Sequence, residues 1–282
     1  MGITGPWLLH RPSRSQRCND PPLVTHGGRG NPAPAARPRQ HVWSCPARRL
    51  GVVIVPGVIL EAMNVRKVYK TGAETVEALK DLSITIERGE FVAVMGPSGS
   101  GKTTFLNCLS GLDEIDGGRV LVEGNDLHKM SDAKRSRNRA EQMGFIFQSF
   151  NLIPVFTAVE NVELPLLLSG TSPADARRSA EATLERVGLA PRKNHRPNEL
   201  SGGEQQRVTI ARALAGKPSI VWADEPTGNL DSETAWSIIG LLQELNDEGL
   251  TLVLVTHDPA IGEKANRLVR MRDGAIELSA SP

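Results

Sequence analysis

The feature that most constrains the fold is a glycine-rich octet, GPSGSGKT, at residues 96–103. It follows a short apolar run, residues 91–95, of the kind that forms a buried strand, and it precedes a helical pattern. In a G-x-x-x-x-G-K-[ST] loop, glycines allow tight turns, so that backbone amides and the positive end of the next helix point at phosphate groups. Lys102 is then expected to reach the β- and γ-phosphates, and the Thr103 hydroxyl to bind Mg²⁺.

A second motif, SIVWADEP at residues 219–226, is an apolar strand that ends in two carboxylates. In phosphoryl transfer the protein mainly positions groups and stabilises charge. Asp224 suits the task of holding Mg²⁺ through its water shell, and Glu225 suits that of a general base facing the attacking water. An Asp-Glu pair is weak evidence alone, but with the phosphate loop upstream it predicts hydrolysis of a nucleoside triphosphate.

The order of predicted elements indicates an α/β fold. Strands are expected at residues 58–69, 78–86, 91–95, 119–122, 144–147, 219–223 and 251–256. Residues from about 150 to 214 are predicted to be mostly helical, with breaks at Pro154, Pro165, Gly170 and residues 194–198. Such alternation is typical of a mainly parallel sheet with helices on its faces. Because no internal repeat is visible, a single domain over residues 58–282 is expected.

The first 57 residues differ from the rest in composition. They contain nine of the 19 prolines, eight arginines, no lysine and a single acid, Asp20, for a net charge of +7. We expect this segment to be disordered, or to be an upstream region translated from a start placed too early, with the folded protein beginning at Val58. An organelle transit peptide fits less well, because the prolines would interrupt its amphipathic helix.

Composition excludes several other classes. The whole chain carries +1, so the part after residue 57 carries −6, which argues against nucleic-acid binding. No apolar stretch approaches the ~18–20 residues that a membrane span needs, and the best, residues 51–60, is about half that length. The cysteines, Cys18, Cys45 and Cys108, have no metal-ligand spacing and form no disulfide framework, which favours a reducing compartment.

The octet LSGGEQQR at residues 200–207 narrows the prediction. Small residues open a helix there, where free amides and the helix dipole could hold an anion, yet nothing local needs a second phosphate site in the same subunit. The octet resembles the LSGGQ-type signature of the ABC ATPase family, with Glu204 at its variable last position. The resemblance covers about residues 58–282. It implies an α/β, RecA-like P-loop NTPase core with an antiparallel β subdomain and an inserted helical subdomain at about residues 148–203.

The resemblance also implies roles for single residues. Gln148 matches the residue that senses Mg²⁺, water and the membrane partner, and Asp231 lies in the loop that crosses the dimer. His257 matches the switch histidine at the γ-phosphate, and Tyr69 the aromatic residue that stacks on adenine. The expected catalytic residues are Lys102, Gln148, Glu225 and His257, and the expected metal ligands are Thr103, Gln148 and Asp224. The expected nucleotide-binding residues are Tyr69, Gly96, Pro97, Ser98, Gly99, Ser100, Gly101, Lys102, Thr103, Thr104, Ser201, Gly202, Gly203, Glu204 and Asp231.

The family resemblance implies a working assembly as well. Two copies would pair head to tail around ATP and Mg²⁺, each signature capping the nucleotide held by the other copy. Four stretches resemble in sequence the ATPases of the macrolide-export and lipoprotein-releasing group: residues 110–113, 147–154, 157–166 and 223–231. This implies a separate membrane permease, indirect membrane contact and a peripheral location on the cytoplasmic face of the inner membrane. A cell-division-type ATPase that mechanically regulates a periplasmic hydrolase remains the alternative.

Overall fold

The structure is a computed structural model that describes residues 57–72 and 74–277; the expectations for residues 1–56 lie outside this part of the chain. The strands are β1 (Val58–Thr71), β2 (Glu74–Glu87), β3 (Phe91–Met95), β4 (Gly117–Val122), β5 (Asn125–Asp126), β6 (Met143–Phe147), β7 (Ile220–Asp224), β8 (Thr251–Val255), β9 (Arg267–Arg272) and β10 (Ala275–Glu277). The helices are α1 (Lys102–Ser110), α2 (Asp132–Gln142), α3 (Ala158–Leu168), α4 (Pro173–Arg186), α5 (Gly202–Leu214), α6 (Ser232–Asp247) and α7 (Pro259–Gly262), with 3₁₀ turns at Leu127–Lys129, Ala190–Arg192 and Pro197–Glu199.

A six-stranded sheet organises the main body, in the order β10-β9-β3-β8-β7-β6. All neighbouring pairs are parallel except β10 with β9. The carboxyl ends of parallel strands meet at one edge of a sheet, where α/β proteins bind their ligands. The phosphate loop after β3, Gln148 after β6, Glu225 after β7 and His257 after β8 all begin at that edge.

The central strands are buried on both faces, as parallel strands usually are. Successive side chains of a strand point to opposite faces, and β8 shows the result. Leu252 and Leu254 belong to the hydrophobic cluster that contains α3 to α6, whereas Val253 and Val255 belong to the cluster that contains α1, β1 and β2. This explains why the sequence of these strands is continuously apolar rather than alternating.

A second sheet, β2-β1-β4-β5, is fully antiparallel and is formed mostly by the residues that precede the phosphate loop. Its core residues include Ile59, Val65 and Leu79, which share a hydrophobic cluster with Phe105 of α1. The antiparallel β subdomain expected from the resemblance is therefore present, and it packs beside the phosphate-loop helix.

Helices α3, α4 and α5, which lie between β6 and β7 in the sequence, pack against one another. Helix α3 continues through Pro165, so the break predicted there is wrong. Proline inside a helix costs roughly 3 kcal/mol because it removes a hydrogen bond and crowds the preceding turn. Here Val162 and Leu166 are buried on either side of it, and the helix ends three residues later, so packing outweighs the local cost.

No helix in residues 57–72 and 74–277 combines the length and hydrophobicity needed to cross a membrane.

Candidate active site

A cleft of about 750 Å³ opens at the carboxyl edge of the parallel sheet, beside the catalytic motifs. It is bounded by the phosphate loop, the first turn of α1, strands β1 and β2, and the turn between β9 and β10. The lining residues are Tyr69, Val76, Glu77, Ala78, Lys80, Ser98, Gly99, Gly101, Lys102, Thr103, Thr104, Glu225, His257, Asp273 and Gly274.

The phosphate loop has the backbone geometry that its glycines predict. Gly99 and Gly101 have φ of +79° and +96°, in the left-handed region that suits glycine. The Lys102 ammonium folds back over the loop and donates hydrogen bonds to the carbonyls of Gly96 and Pro97, both at 2.9 Å. The Ser100 hydroxyl is buried and has no hydrogen-bond partner among the described residues. A buried cation and an unsatisfied hydroxyl in one loop suit a polyanionic ligand.

The loop meets the antiparallel sheet at the Ala78 carbonyl, and we call this contact the Ala78 junction. A Cβ added to Gly101 would lie 2.6 Å from the Ala78 carbonyl oxygen, and a Cβ added to Gly274 would lie 2.7 Å from the same atom. The Gly274 amide donates to the Ser100 carbonyl at 3.1 Å, and the Gly274 carbonyl accepts from the Lys80 amide at 2.8 Å. Two glycines are therefore required for three chain segments to converge here.

Asp224, at the end of β7, lies partly buried beside the start of α1. Burial raises the pKa of its carboxyl group, and the neighbouring charge of Glu225 adds to the shift. The Thr103 side chain and the Lys102 charge act in the opposite direction but do not cancel it. A carboxylate in this environment would be stabilised by a bound cation, and the adjacent Thr103 hydroxyl is a second oxygen donor.

Glu225 follows directly and has a left-handed backbone, with φ of +46°. Non-glycine residues in this region cost of order 1–3 kcal/mol and occur often at functional sites. The conformation is held by the Glu225 amide, which donates to the Val255 carbonyl at 3.0 Å, and by the Gly228 amide, which donates to the Glu225 carbonyl at 3.1 Å. The carboxylate lies 3.2 Å from Nδ1 of His257. The turn after β7 thus directs an acid toward the cleft, where His257 contacts it.

The signature residues line a different cleft, of about 380 Å³. Ser201 caps α5: its hydroxyl accepts from the Glu204 amide at 3.3 Å, and the Glu204 carboxylate accepts from the Ser201 amide at 2.8 Å. Asp231 lies in the same cleft, where it caps α6 through the Thr234 amide. Among the described residues, none is shared between this cleft and the one at the phosphate loop. Within one subunit, the signature is therefore not part of the phosphate-loop cleft.

Comparison with known proteins decides the family. The model of the family described as ABC transporter matches residues 79–228. This chain belongs to the ABC transporter ATP-binding family. An uncharacterized ABC transporter ATP-binding protein of Thermotoga maritima is 48% identical over 219 residues, which are 78% of this chain and 94% of that protein.

Two further relatives extend the comparison. The macrolide export ATP-binding/permease protein MacB of Bdellovibrio bacteriovorus is 47% identical over 78% of this chain, which spans only 33% of that longer protein. The solved structure of the ATP-binding cassette MJ0796, a dimer in a post-hydrolysis state bound to ADP and Pi, has a TM-score of 0.72 and 44% identity. It covers 78% of this chain and 97% of its own. Together these matches confirm the predicted ABC ATPase fold.

Gln148 of this ABC protein does not line the phosphate-loop cleft. Its side-chain amide donates to the side-chain oxygen of Asn229 at 3.2 Å, and the side-chain amide of Asn229 donates to the backbone carbonyl of Gln148 at 2.9 Å. A Cβ on Gly228 would lie 2.7 Å from the Gln148 side-chain nitrogen. Gln148 is thus held against the loop that leads to Asp231, through an asparagine that lines the signature cleft.

Most of the other predicted site residues line one of the two clefts. Ser98, Gly99, Gly101, Lys102, Thr103, Thr104, Tyr69, Glu225 and His257 line the phosphate-loop cleft, and Ser201, Gly202, Gly203, Glu204 and Asp231 line the signature cleft. Ser100 and Asp224 do not line the phosphate-loop cleft, and Gly96 and Pro97 line a neighbouring cleft of about 410 Å³ that also includes Ser98 and His257. Sequence reasoning missed the contribution of β2 and of the β9–β10 turn, namely Val76, Glu77, Ala78, Lys80, Asp273 and Gly274. The register of β1 with β2, which pairs Tyr69 with Val76, could have indicated the β2 residues of this set.

Proposed function

We propose that this chain is the ATP-binding and ATP-hydrolysing subunit of an ABC transporter, and that two copies enclose the nucleotide between them. One observation carries the proposal: the phosphate loop and the signature line separate clefts of one subunit. If both contact the same ATP, the second must come from another copy. Consistent with this, MJ0796 is described as a dimeric ABC transporter cassette.

The phosphate-loop cleft suits ATP at both ends. Lys102 and the amides of the loop face the phosphates, and the unpaired Ser100 hydroxyl adds a polar group within the loop. At the mouth, Tyr69 and Val76 are directly opposite in the β1–β2 pair, and both are exposed although largely apolar. Cross-strand partners share a face, so together they form a platform against which a flat base can pack.

Thr103 and Asp224 are the residues we assign to Mg²⁺. Their oxygen donors match the preference of this hard cation, which usually keeps several waters and binds through one or two carboxylates and substrate phosphates. The raised pKa of Asp224 reflects its burial, which the hydrogen bond with Thr103 and the Lys102 charge do not offset. The cation supplies charge neutralisation on the phosphates. Gln148 can join this set of ligands only if its side chain breaks its hydrogen bond to Asn229 and turns toward the cation.

Glu225 is assigned as the general base. A water oxygen attacks the γ-phosphorus, the bond to the ADP oxygen breaks, and Glu225 accepts the proton that the water loses. His257, 3.2 Å from the Glu225 carboxylate, orients that carboxylate and contacts the γ-phosphate. Lys102 stabilises the negative charge on the transferring group.

Ser201 and Asp231 are assigned to the facing copy's nucleotide. Ser201 is exposed at the amino end of α5, where backbone amides and the helix dipole favour an anion. The Asp231 loop is bonded to Gln148 through Asn229, so it connects the signature cleft to the end of β6. These contacts would link closure of the dimer to the helices α3 to α5.

The transport context comes from the relatives. MacB of Bdellovibrio bacteriovorus is named as a macrolide export ATP-binding/permease protein. We propose that this chain powers a separate permease of the macrolide-export or lipoprotein-releasing type, from a peripheral position on the cytoplasmic face of the inner membrane. Residues 58–282 form its ATPase domain, with the helical subdomain at about residues 148–203.

Two inactive variants test the shared site. Ser201→Asp keeps a good helix cap but places a carboxylate where the facing phosphates would lie, and Lys102→Ala removes the phosphate contact. Each variant alone should still pair with a second copy of itself but hydrolyse little ATP. A mixed population contains dimers in which an intact phosphate loop faces an intact signature, so mixing should restore turnover. Wild-type hydrolysis by Ser201→Asp alone would refute the two-copy site.

A further inference from the structure

A carboxylate outside the predicted site is bonded to the aromatic ring at the mouth of the cleft. The Tyr69 hydroxyl donates to one oxygen of Asp113 at 2.6 Å, and the Lys67 ammonium donates to the other at 2.8 Å. Lys67 also donates to the Glu114 carbonyl at 2.7 Å. Its nitrogen lies 4.9 Å from the centroid of the Tyr69 ring, within cation–π range.

Burial and charge keep this group intact. The Lys67 side chain is only 10% exposed. Burial alone would lower the Lys67 pKa, but the hydrogen bond and charge of Asp113 outweigh it, and the pKa is raised. Burial alone would raise the pKa of Asp113, but hydrogen bonds from Lys67 and Tyr69 bring it below its usual value. Asp113 is therefore ionised and Lys67 is protonated at neutral pH, and the tyrosine hydroxyl is a donor.

The position of Asp113 connects the two ends of the cleft. Asp113 lies three residues beyond the end of α1, and its amide donates to the Asn107 carbonyl of that helix at 3.0 Å. The same helix begins at Lys102 in the phosphate loop. Residues 67 and 69 of β1 share one face of the strand. The carboxylate thus ties the aromatic platform to the helix that carries the phosphate loop.

We infer that Asp113 is a positioning residue for the base of the nucleotide, acting through the Tyr69 hydroxyl and supported by Lys67. The inference rests on the proposed function, in which Tyr69 stacks on adenine. A half-exposed tyrosine can adopt several rotamers, and each immobilised side chain costs free energy on binding. A ring already fixed by Asp113 removes that cost, so the contact contributes to affinity for the base and not to affinity for the phosphates.

Calorimetric titration of the full chain with ADP and, separately, with pyrophosphate tests this. Neither ligand is hydrolysed at the site, and pyrophosphate carries no base. Asp113→Ala and Tyr69→Phe should each weaken ADP binding by about five- to tenfold, within the range expected when one more side chain must be ordered on binding. Pyrophosphate binding should change by less than about twofold. Because both variants break the same bond, the double variant should be no weaker than the weaker single one.

The matched control is Asp116→Asn. Asp116 belongs to the same segment and accepts a hydrogen bond from the Val68 amide at 2.7 Å, whereas the Tyr69 hydroxyl donates to Asp113. The asparagine keeps that acceptor, so ADP and pyrophosphate binding should both match the wild-type chain. In steady-state hydrolysis, Asp113→Ala should raise the KM for ATP and leave kcat within about twofold.

The outcomes separate the inference from the function on which it rests. Equal losses for ADP and pyrophosphate, or additive losses in the double variant, would give Asp113 a purely structural role and overturn the inference. Tyr69→Phe retains the ring and the strand contacts, so unchanged ADP affinity in that variant overturns it even if Asp113→Ala does not fold. A wild-type chain that binds no ADP would instead refute the proposed function.

Discussion

Nδ1 of His257 lies 3.2 Å from the carboxylate of Glu225, although the two residues follow different strands. The strands β7 and β8 are adjacent and parallel, so their carboxyl ends bring both side chains to one wall of the cleft. Glu225 is about a quarter exposed and His257 about two-thirds exposed. Glu225 is therefore less exposed to solvent than His257, which suits a general base that acts on a bound water molecule.

Glu225→Gln should reduce hydrolysis by about 10²–10⁴-fold, the usual contribution of a general base. Glutamine has nearly the same shape but cannot accept the proton, so ATP binding should persist and the closed dimer should accumulate. Phosphate release and size-exclusion chromatography with ATP measure the two effects. Glu185→Gln, on the exposed face of α4, is the matched control and should behave as wild type. Normal turnover by Glu225→Gln would remove Glu225 from the catalytic role.

Lys102→Ala should weaken ATP binding by about tenfold or more, because the phosphates lose a charge-assisted contact. The substitution also leaves the carbonyls of Gly96 and Pro97 without their ammonium donor, so the loop itself should loosen. Equilibrium titration with ATP measures the first effect, and hydrogen exchange of the loop amides measures the second. Unchanged ATP affinity would contradict the role of this lysine.

Asp224→Asn should make the nucleotide-free protein more stable while impairing Mg²⁺-dependent hydrolysis. Because the pKa of Asp224 is raised, the folded chain holds a proton at this carboxyl more tightly than the unfolded chain does. Its ionisation therefore costs stability as pH rises past the ordinary carboxyl range, and the neutral amide avoids that cost. The gain in Tm should be present at pH 7 and absent below about pH 4.

The pH series also supplies the control for this prediction. A gain in Tm that is equal at both pH values would arise from packing and not from charge. A loss of stability at pH 7 would show that Asp224 is well compensated without a cation, and the assignment of Mg²⁺ to it would lose its physical support.

Gly203→Ala should lower the free energy of unfolding by about 1–3 kcal/mol, the usual cost of overpacking. A Cβ at this position would lie 2.5 Å from Cγ2 of Thr234. Thr234 is bonded to Asp231 through both its amide and its hydroxyl, so its displacement would disturb that loop. Thr234→Ser removes the methyl group but keeps the hydroxyl. Combined with Gly203→Ala, it should restore most of the lost Tm and ATPase activity; no recovery would contradict the steric account.

Purification of the tagged protein from detergent-solubilised membranes should recover a permease of the macrolide-export or lipoprotein-releasing type. Mass spectrometry of the co-purified proteins is the readout, and the Lys102→Ala variant shows whether capture depends on nucleotide. Recovery of a division-type partner would favour the mechanical regulator instead, and absence of any membrane partner would contradict the transport role.

Short patterns were sufficient to predict the parallel sheet, because its strands are buried on both faces. Phe91–Met95 was predicted to its ends, and β7 and β8 to within one residue. The break at Pro165 failed because tertiary burial of its neighbours overrode a local preference. The predictions for residues 1–57 fall outside the described part of the chain, save for Gly57.

The motif residues of the site were predicted, but their partners were not. Glu225 and His257 were both identified, whereas the hydrogen bond from Tyr69 to Asp113 joins residues 44 positions apart and leaves no periodic signal. The same holds for Gln148 and Asn229, which are 81 positions apart. A sequence motif identifies functional groups that lie within a few residues of one another. Which distant residues come into contact depends on the order and register of the strands.

The Ala78 junction has a consequence for exchanging parts between related ABC ATPases. A chimera that takes β1 and β2 from one protein and the phosphate loop from another would place a foreign carbonyl against Gly101 and Gly274, where the present backbone leaves no room even for a Cβ. The transplantable unit is therefore discontinuous in sequence. It comprises the antiparallel sheet, residues 96–101 and the β9–β10 turn, and grafts that respect this boundary should fold where grafts cut at the end of β2 do not.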